Sequence, residues 1–224
     1  YYSVPLTRYG ITAEMTATTR VGFSRYTFPA SDSSAVVFDL ENGGCWDKAY
    51  DTKFTVVDSC TLEGYRFSTG WAKDQRIYFR AQFSKPFNSI DEITVKEYSV
   101  DGKEYSVNYF RAGFHTTEGE QVMLKVAVSP VSEEKAALNM SAELPGWDFD
   151  ATVEAARKAW NSELSKVNVT TTDQDARTIF YSALYHTMIV PSIFSDSDAP
   201  RTEYTIFSLW DTYRAQMPLM TILH

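Results

Sequence analysis

The chain has 224 residues, of which 44% are hydrophobic and 22% charged, enough apolar material for a large core and too much for a disordered chain. A net charge of -8 argues against a nucleic-acid backbone or an anionic membrane surface as partner, since both repel an acidic protein. No apolar run reaches the length at which a helix spans a bilayer, so no membrane span is expected.

The first residues, Tyr1-Tyr2-Ser3-Val4-Pro5, carry neither an initiator Met nor a signal-peptide pattern, which predicts a processed or cut start. From there to about Ser129 the sequence runs in period two, which sends alternate side chains to opposite faces of a strand. Val21-Gly22-Phe23-Ser24-Arg25-Tyr26-Thr27-Phe28, Ala35-Val36-Val37-Phe38-Asp39-Leu40, Arg76-Ile77-Tyr78-Phe79-Arg80-Ala81-Gln82-Phe83 and Gln121-Val122-Met123-Leu124-Lys125-Val126-Ala127-Val128 read as strands. Turn clusters separate them: Ser31-Asp32-Ser33-Ser34, Glu41-Asn42-Gly43-Gly44, Asp101-Gly102 and Glu118-Gly119. Asp101-Gly102 predicts a tight hairpin between the runs 93–100 and 105–110. Roughly eight to ten short strands without intervening helices predict an antiparallel β-sandwich.

Cys45 and Cys60 flank a segment that could form a hairpin, so a disulfide between them is open but not implied. Asn139-Met140-Ser141 and Asn168-Val169-Thr170 fit the glycosylation triplet, a pattern too short to carry weight.

Near Pro130 the period changes from two to 3.6, which marks the one domain boundary. Ser132 caps a helix through Glu133-Glu134-Lys135-Ala136-Ala137-Leu138 that ends at Pro145-Gly146. A second helix starts between Asp148 and Asp150 with Val153, Ala156, Trp160, Leu164 and Val167 on one face. A third begins at Thr172-Asp173 and presents Ala176, Ile179, Phe180, Ala183, Leu184 and Met188 before Pro191. The last runs through Leu209, Trp210 and Tyr213 towards His224, with no stop signal after Pro218. Helices with such wide apolar faces cannot cover one another, so the chain is expected to be the front part of a longer polypeptide.

The octet Phe207-Ser208-Leu209-Trp210-Asp211-Thr212-Tyr213-Arg214 is the candidate site. An indole stacks on the apolar face of a pyranose, and a carboxylate or guanidinium beside it hydrogen-bonds the hydroxyls. The same residues also read as structure: Trp210 in a core, Asp211 as a helix N-cap, Arg214 as its i+3 partner. The 14 Tyr, 14 Phe and 5 Trp lean toward carbohydrate handling, although β-sandwiches also favour Tyr and Phe.

The run Gly64-Tyr65-Arg66-Phe67-Ser68-Thr69-Gly70-Trp71-Ala72-Lys73-Asp74-Gln75, followed by Tyr78-Phe79-Arg80 and Phe83-Ser84-Lys85-Pro86-Phe87, resembles glycoside hydrolase family 92, the calcium-dependent exo-acting α-mannosidases. So do Lys125-Val126-Ala127-Val128-Ser129, Trp160-Asn161, Phe180-Tyr181-Ser182-Ala183-Leu184-Tyr185-His186-Thr187 and the octet, in the family's order. The resemblance implies an N-terminal β-sandwich over 1–130, linker helices over 131–170 and, over 171–224, the start of an (α/α) toroid of six helical hairpins, with the active site between sandwich and toroid. It implies an inverting enzyme that releases terminal α-linked mannose, with a 1,2 linkage expected, from a mannose-containing glycan such as an N-glycan. No catalytic residue is expected in this chain. The general acid, general base and Ca²⁺ ligands are expected in the rest of the same polypeptide, the later toroid.

A calcium site takes about six to eight oxygen ligands, and no such grouping is visible; Asp196 and Asp198 come nearest and read as a loop. Carried over residue by residue, Asp211 is expected to hydrogen-bond mannose hydroxyls, Trp210 to shape the pocket wall and Arg214 either to hold the Asp211 carboxylate or to form a structural salt bridge. His186 is expected to be a hydrogen-bonded core or interface residue. The segment from Ser197 to Ile206 is shorter than the family's usual loop, and the family's Gly- and His-rich segment is absent before Tyr1. A bacterial periplasmic or extracellular location follows from the same resemblance.

Two other readings compete. One is a non-catalytic carbohydrate-binding or adhesion sandwich with Trp46 and Trp71 as its platform, two residues that also read as turn or core aromatics. The other is a different toroid enzyme such as a phosphorylase, against which stands the lack of a Gly-rich loop opening a helix.

Overall fold

The structure, a computed structural model, describes residues 1–43, 46–100, 103–206 and 208–224, with side chains described throughout these stretches except at 94–100 and 103–108. Its described residues form ten strands followed by five helices. The strands are β1 (Tyr2–Leu6), β2 (Ile11–Ala17), β3 (Val21–Phe28), β4 (Ser31–Asp39), β5 (Lys48–Val56), β6 (Thr61–Thr69), β7 (Gln75–Phe83), β8 (Ser89–Val100), β9 (Lys103–Thr116) and β10 (Glu120–Ser129). Seven of them form one sheet in the order β1-β2-β3-β10-β7-β6-β5, and β4-β9-β8 form the other. Every pairing is antiparallel.

Period two puts Phe79, Ala81 and Phe83 of β7 on the inner face, where they meet Leu62 of β6 and Ala112 and Phe114 of β9. Edge-to-face contact of Phe83 with Phe114 at 5.0 Å and stacking of Phe54 on Phe110 at 4.1 Å join the two sheets. Each such buried ring contributes roughly 1.5–3 kcal/mol. Gly64 marks a close approach of β5 and β6: a Cβ there would lie 1.8 Å from the backbone oxygen of Lys53.

The large sheet is covered on its other face too. Val21 and Phe23 of β3 and Ala127 of β10 form a second core with Met140, Leu144 and Phe149 of the helices. That is why β10 does not alternate between buried and exposed: both of its faces are covered. Strand ends at Ser129 and helix starts at α1 (Glu133–Glu143), where the Ser132 hydroxyl accepts from the Lys135 N–H and Glu133 and Glu134 favour the positive end of the helix dipole. Asp148 caps α2 (Phe149–Leu164) and Asp173 caps α3 (Gln174–Thr187) in the same way, each where the sequence predicts a helix start.

Four expectations need comment. Ser31-Asp32-Ser33-Ser34 is not a turn but the bulged start of β4, because Ser34 pairs with Phe114 and its hydroxyl bonds the buried Thr116 hydroxyl at 2.8 Å. The last helix is two pieces, α4 (Leu209–Thr212) and α5 (Gln216–Leu223), separated by Ala215 at φ 64°. Pro218 is the reason: it has no N–H to give Arg214, and its ring would clash with that carbonyl, so the chain restarts with proline in the first turn. Asp101-Gly102 lies outside the described residues, while the strands beside it pair as a hairpin with Val100 opposite Lys103. Cys60 has a free thiol, and Cys45 lies outside the described residues. No helix among the described residues is long and apolar enough to cross a membrane.

Candidate functional site

Two loops at one end of the large sheet build a cleft of about 320 Å³ lined by Gly43, Trp46, Asp47, Arg66, Ser68, Trp71, Gln75 and Ile77. Pairing of Ser68 with Gln75 closes β6 and β7 into a hairpin and puts Trp71 at its tip. The loop from β4 to β5 brings Trp46 against it, the rings meeting at 5.9 Å and 69°. Trp46 is 63% exposed and Trp71 83%. Of the two structural readings, turn and core, the first describes both residues: they stand in connecting loops, exposed to solvent. The signal was in the sequence, since each follows a loop glycine or cysteine outside the period-two pattern, where a core aromatic has no layer to enter.

Arg66 fixes the floor. Its guanidinium donates to the Asp47 carboxylate at 2.6 Å and to the backbone oxygens of Leu40 at 2.8 Å and Glu41 at 3.1 Å. The Arg66 hydrogen bond holds the Asp47 carboxyl below the usual carboxylate range, although partial desolvation opposes it. Gly70 permits the close approach, because a Cβ there would stand 3.0 Å from the Asp47 Cβ. A preorganised carboxylate beside two exposed indoles is the arrangement that suits a sugar: apolar faces for the ring, a charged acceptor for hydroxyls.

Ile77 also lines a second, smaller cleft of about 170 Å³, shared with Arg20, Arg76, Ser129, Ile193, Phe194 and Asp196. Ile193 in turn lines a third, of about 780 Å³, with Trp160, Met188, Tyr204 and Met217 of the helical part. The small cleft thus shares one wall residue, Ile77, with the tryptophan cleft and another, Ile193, with the cleft of the helical part.

None of these clefts has Trp210, Asp211 or Arg214 in its wall. Trp210 is 77% exposed. Asp211 lies inside α4 rather than at its cap, which is Ser208, and among the described residues its carboxylate has no hydrogen-bond or ion-pair partner. Arg214 lies over the Tyr213 ring at 5.4 Å and does not pair with Asp211. Phe207 lies outside the described residues. His186 is exposed near the end of α3, its ring 5.7 Å from that of Tyr185.

Asp196 and Asp198, expected to be plain loop residues, are anchored. Asp196 is 6% exposed and accepts from Ser129 Oγ at 3.0 Å and Asn139 Nδ2 at 2.7 Å; Asp198 pairs with Lys135 at 2.6 Å. The segment from Ser197 to Ile206 closes on its own start through bonds from Phe194 N–H to the Glu203 oxygen at 2.7 Å and Thr205 N–H to the Ser192 oxygen at 2.9 Å. Among the described residues no three or more His, Cys, Asp or Glu side chains are grouped to hold a metal ion.

Residues 1–129 match the glycosyl hydrolase family 92 N-terminal domain, and residues 135–224 match the glycosyl hydrolase family 92 catalytic domain. The family GH92 α-mannosidase BT3965 of Bacteroides thetaiotaomicron superposes with a TM-score of 0.87 at 32% identity, over 98% of this chain and 32% of its own. The family GH92 inverting mannosidase BT2199 of the same organism superposes with a TM-score of 0.80 at 26% identity, over 98% and 32%. An uncharacterized secreted glycosidase of Arthroderma benhamiae is 26% identical over 96% of this chain and 32% of that protein. The chain thus spans about a third of the length of each of these relatives.

Proposed function

This chain belongs to glycosyl hydrolase family 92, and on that premise we propose that the whole protein is an inverting α-mannosidase that removes terminal mannose, 1,2-linked by preference, from a secreted or surface glycan. The observation that carries this reading is the exposed Trp46 and Trp71 pair over the Asp47 and Arg66 floor. Mannose is the sugar proposed because BT3965 and BT2199 are mannosidases, and BT3965 has been solved in complex with mannoimidazole. The tryptophan pair would take the sugar that leaves, and Asp211 on the helical side would bind hydroxyls of the mannose that is cut.

Inversion needs a carboxylic acid to protonate the departing oxygen and a carboxylate on the opposite face to activate water. Both groups are assigned to polypeptide beyond this chain. So are the calcium ligands, and no step here is routed through calcium. Periplasmic or extracellular residence is part of the same proposal, supported by the secreted fungal relative.

The test is mannose release from α-1,2-mannobiose by the full-length protein, followed by proton NMR and repeated with a calcium chelator. The β-anomer appearing first, and loss of activity with chelator, are the expected results. Asp211→Ala should cost about 2–4 kcal/mol of transition-state stabilisation, read from kcat/KM. An unchanged kcat/KM in a folded variant would remove Asp211 from the site. Exposure of the tryptophan pair on the sandwich itself also favours a second reading, a carbohydrate-binding module, and mannobiose binding without any release would establish it.

A further inference from the structure

Three separately folded pieces meet at Asp196. The sandwich brings Ser129, the last residue of β10, and Arg20, from the turn between β2 and β3; α1 brings Lys135, Asn139 and Glu143; the segment after α3 brings Ser195 to Asp198. Asn139 is fully buried and uses its whole amide: Nδ2 donates to the Val128 oxygen at 2.9 Å and to Asp196 at 2.7 Å, while Oδ1 accepts the Ser197 N–H at 2.9 Å. Arg20 donates through Nε to the Ser195 oxygen at 2.7 Å and is itself held by Glu143.

A buried carboxylate whose direct partners are a hydroxyl and an amide is a poor way to gain stability, because its desolvation is offset only in part. Apolar side chains of the same volume would hold the pieces together as well. What the polar set adds is direction, since each bond is satisfied in one register only. The place matters as well: Ser129 and Asp196 line the small cleft whose wall, Ile77, is shared with the tryptophan cleft and whose other wall, Ile193, is shared with the helical one.

We infer that Asp196 is a positioning residue: held by Ser129 and Asn139, it sets how the segment leading to the helical half of the site sits against the tryptophan half. This inference rests on the mannosidase reading. It separates substrates by reach. On that reading a disaccharide engages both halves at once, whereas α-mannosyl fluoride has no second sugar to place on the tryptophans.

The experiment compares these two substrates with the full-length protein, its Asp196→Asn variant, which reverses one donor and acceptor without changing shape, and Ser129→Ala, which removes the donor to Asp196 together with the acceptor of the Val131 and Ser132 N–H groups. In D196N, kcat/KM on α-1,2-mannobiose should fall about tenfold to a hundredfold, with KM rising, while α-mannosyl fluoride changes by less than about twofold. S129A should show the same selectivity at smaller size. An equal fall on both substrates would mean a merely structural role, and no fall on either would mean none; each overturns the inference. Amide hydrogen exchange keeps the two readings apart. If the wild-type protein releases no mannose, the mannosidase reading fails and the positioning role fails with it, while faster exchange over 193–205 in D196N would leave only a structural lock.

Discussion

Lys125 offers the sharpest test of how the helices are tied to the sandwich. It sits in the middle of β10, is 1% exposed, and has no carboxylate partner among the described residues: its ammonium donates to the Leu144 oxygen at 2.9 Å and lies 4.0 Å above the Trp147 ring. The Leu144 carbonyl belongs to the C-cap of α1, so the lysine closes that helix end where the chain turns into α2. Lys125→Met keeps the volume and removes the charge. The lost charge-assisted bond, with a half-buried carbonyl left unpaired, costs about 1.5–3 kcal/mol. The cation–π contact adds about 1–2 kcal/mol in a desolvated site. Relief of the buried charge returns a comparable amount, about 3–4 kcal/mol, since burial leaves the folded ammonium below the ordinary lysine value. The net is a difference within about 1 kcal/mol of zero near neutral pH, or a shift in Tm of less than roughly 4 °C for a unit of this size.

Urea unfolding followed by tryptophan fluorescence reads this directly. A K125M protein less stable than the wild type by about 2 kcal/mol or more at neutral pH would show that the ammonium is an anchor rather than a tolerated liability. The pH dependence gives a second handle. Burial pushes the Lys125 ammonium below the ordinary lysine value, so the unfolded chain binds this proton more tightly than the folded one. Stability of the wild type should therefore rise with pH across the window between the folded and ordinary lysine values, and the gap to K125M should widen there. A gap that narrows instead would mean that the carbonyl and the indole favour the charged form more than burial disfavours it.

Glu14 gives the acid counterpart: its hydrogen bonds from Arg25 hold its carboxyl below the usual range, so the stability it contributes is present above the ordinary Glu value and is lost as pH falls through the folded one. Glu14→Gln should lower stability by about 1–2 kcal/mol at neutral pH and flatten the acid limb of a urea-midpoint profile; an unflattened limb would assign acid unfolding to other carboxylates. Gly64→Ala should cost about 2–4 kcal/mol or prevent folding, measured by thermal melt, because the Cβ meets backbone rather than a movable side chain. Trp71→Ala should leave Tm almost unchanged, as the ring is 83% exposed, yet weaken mannobiose binding about fivefold to tenfold by calorimetry. Unaltered binding would remove the indole from the sugar platform.

Much of the architecture is local and so is written in the sequence. Period-two runs mark the strands because a half-buried pleat needs apolar residues on alternate positions, and β3 is read to the residue from Val21 to Phe28. Ser132, Asp148 and Asp173 announce the helix starts because a capping oxygen must stand just before the first free N–H groups. The family, too, is legible from short motifs spread along the chain. What the sequence could not decide is anything set by distant partners. Ser31-Asp32-Ser33-Ser34 has turn composition, and only the pairing with β9 makes it a strand. Trp46 and Trp71 lie 25 positions apart, and only the sheet order brings their rings within 5.9 Å. Asp196 reads as a loop aspartate until Ser129, 67 positions earlier, and Asn139, 57 positions earlier, close over it. Propensity and capping act over a few residues, whereas a cleft or a buried lock is a sum of contacts between segments far apart in the chain, and those exist only once the sheets and helices have been stacked.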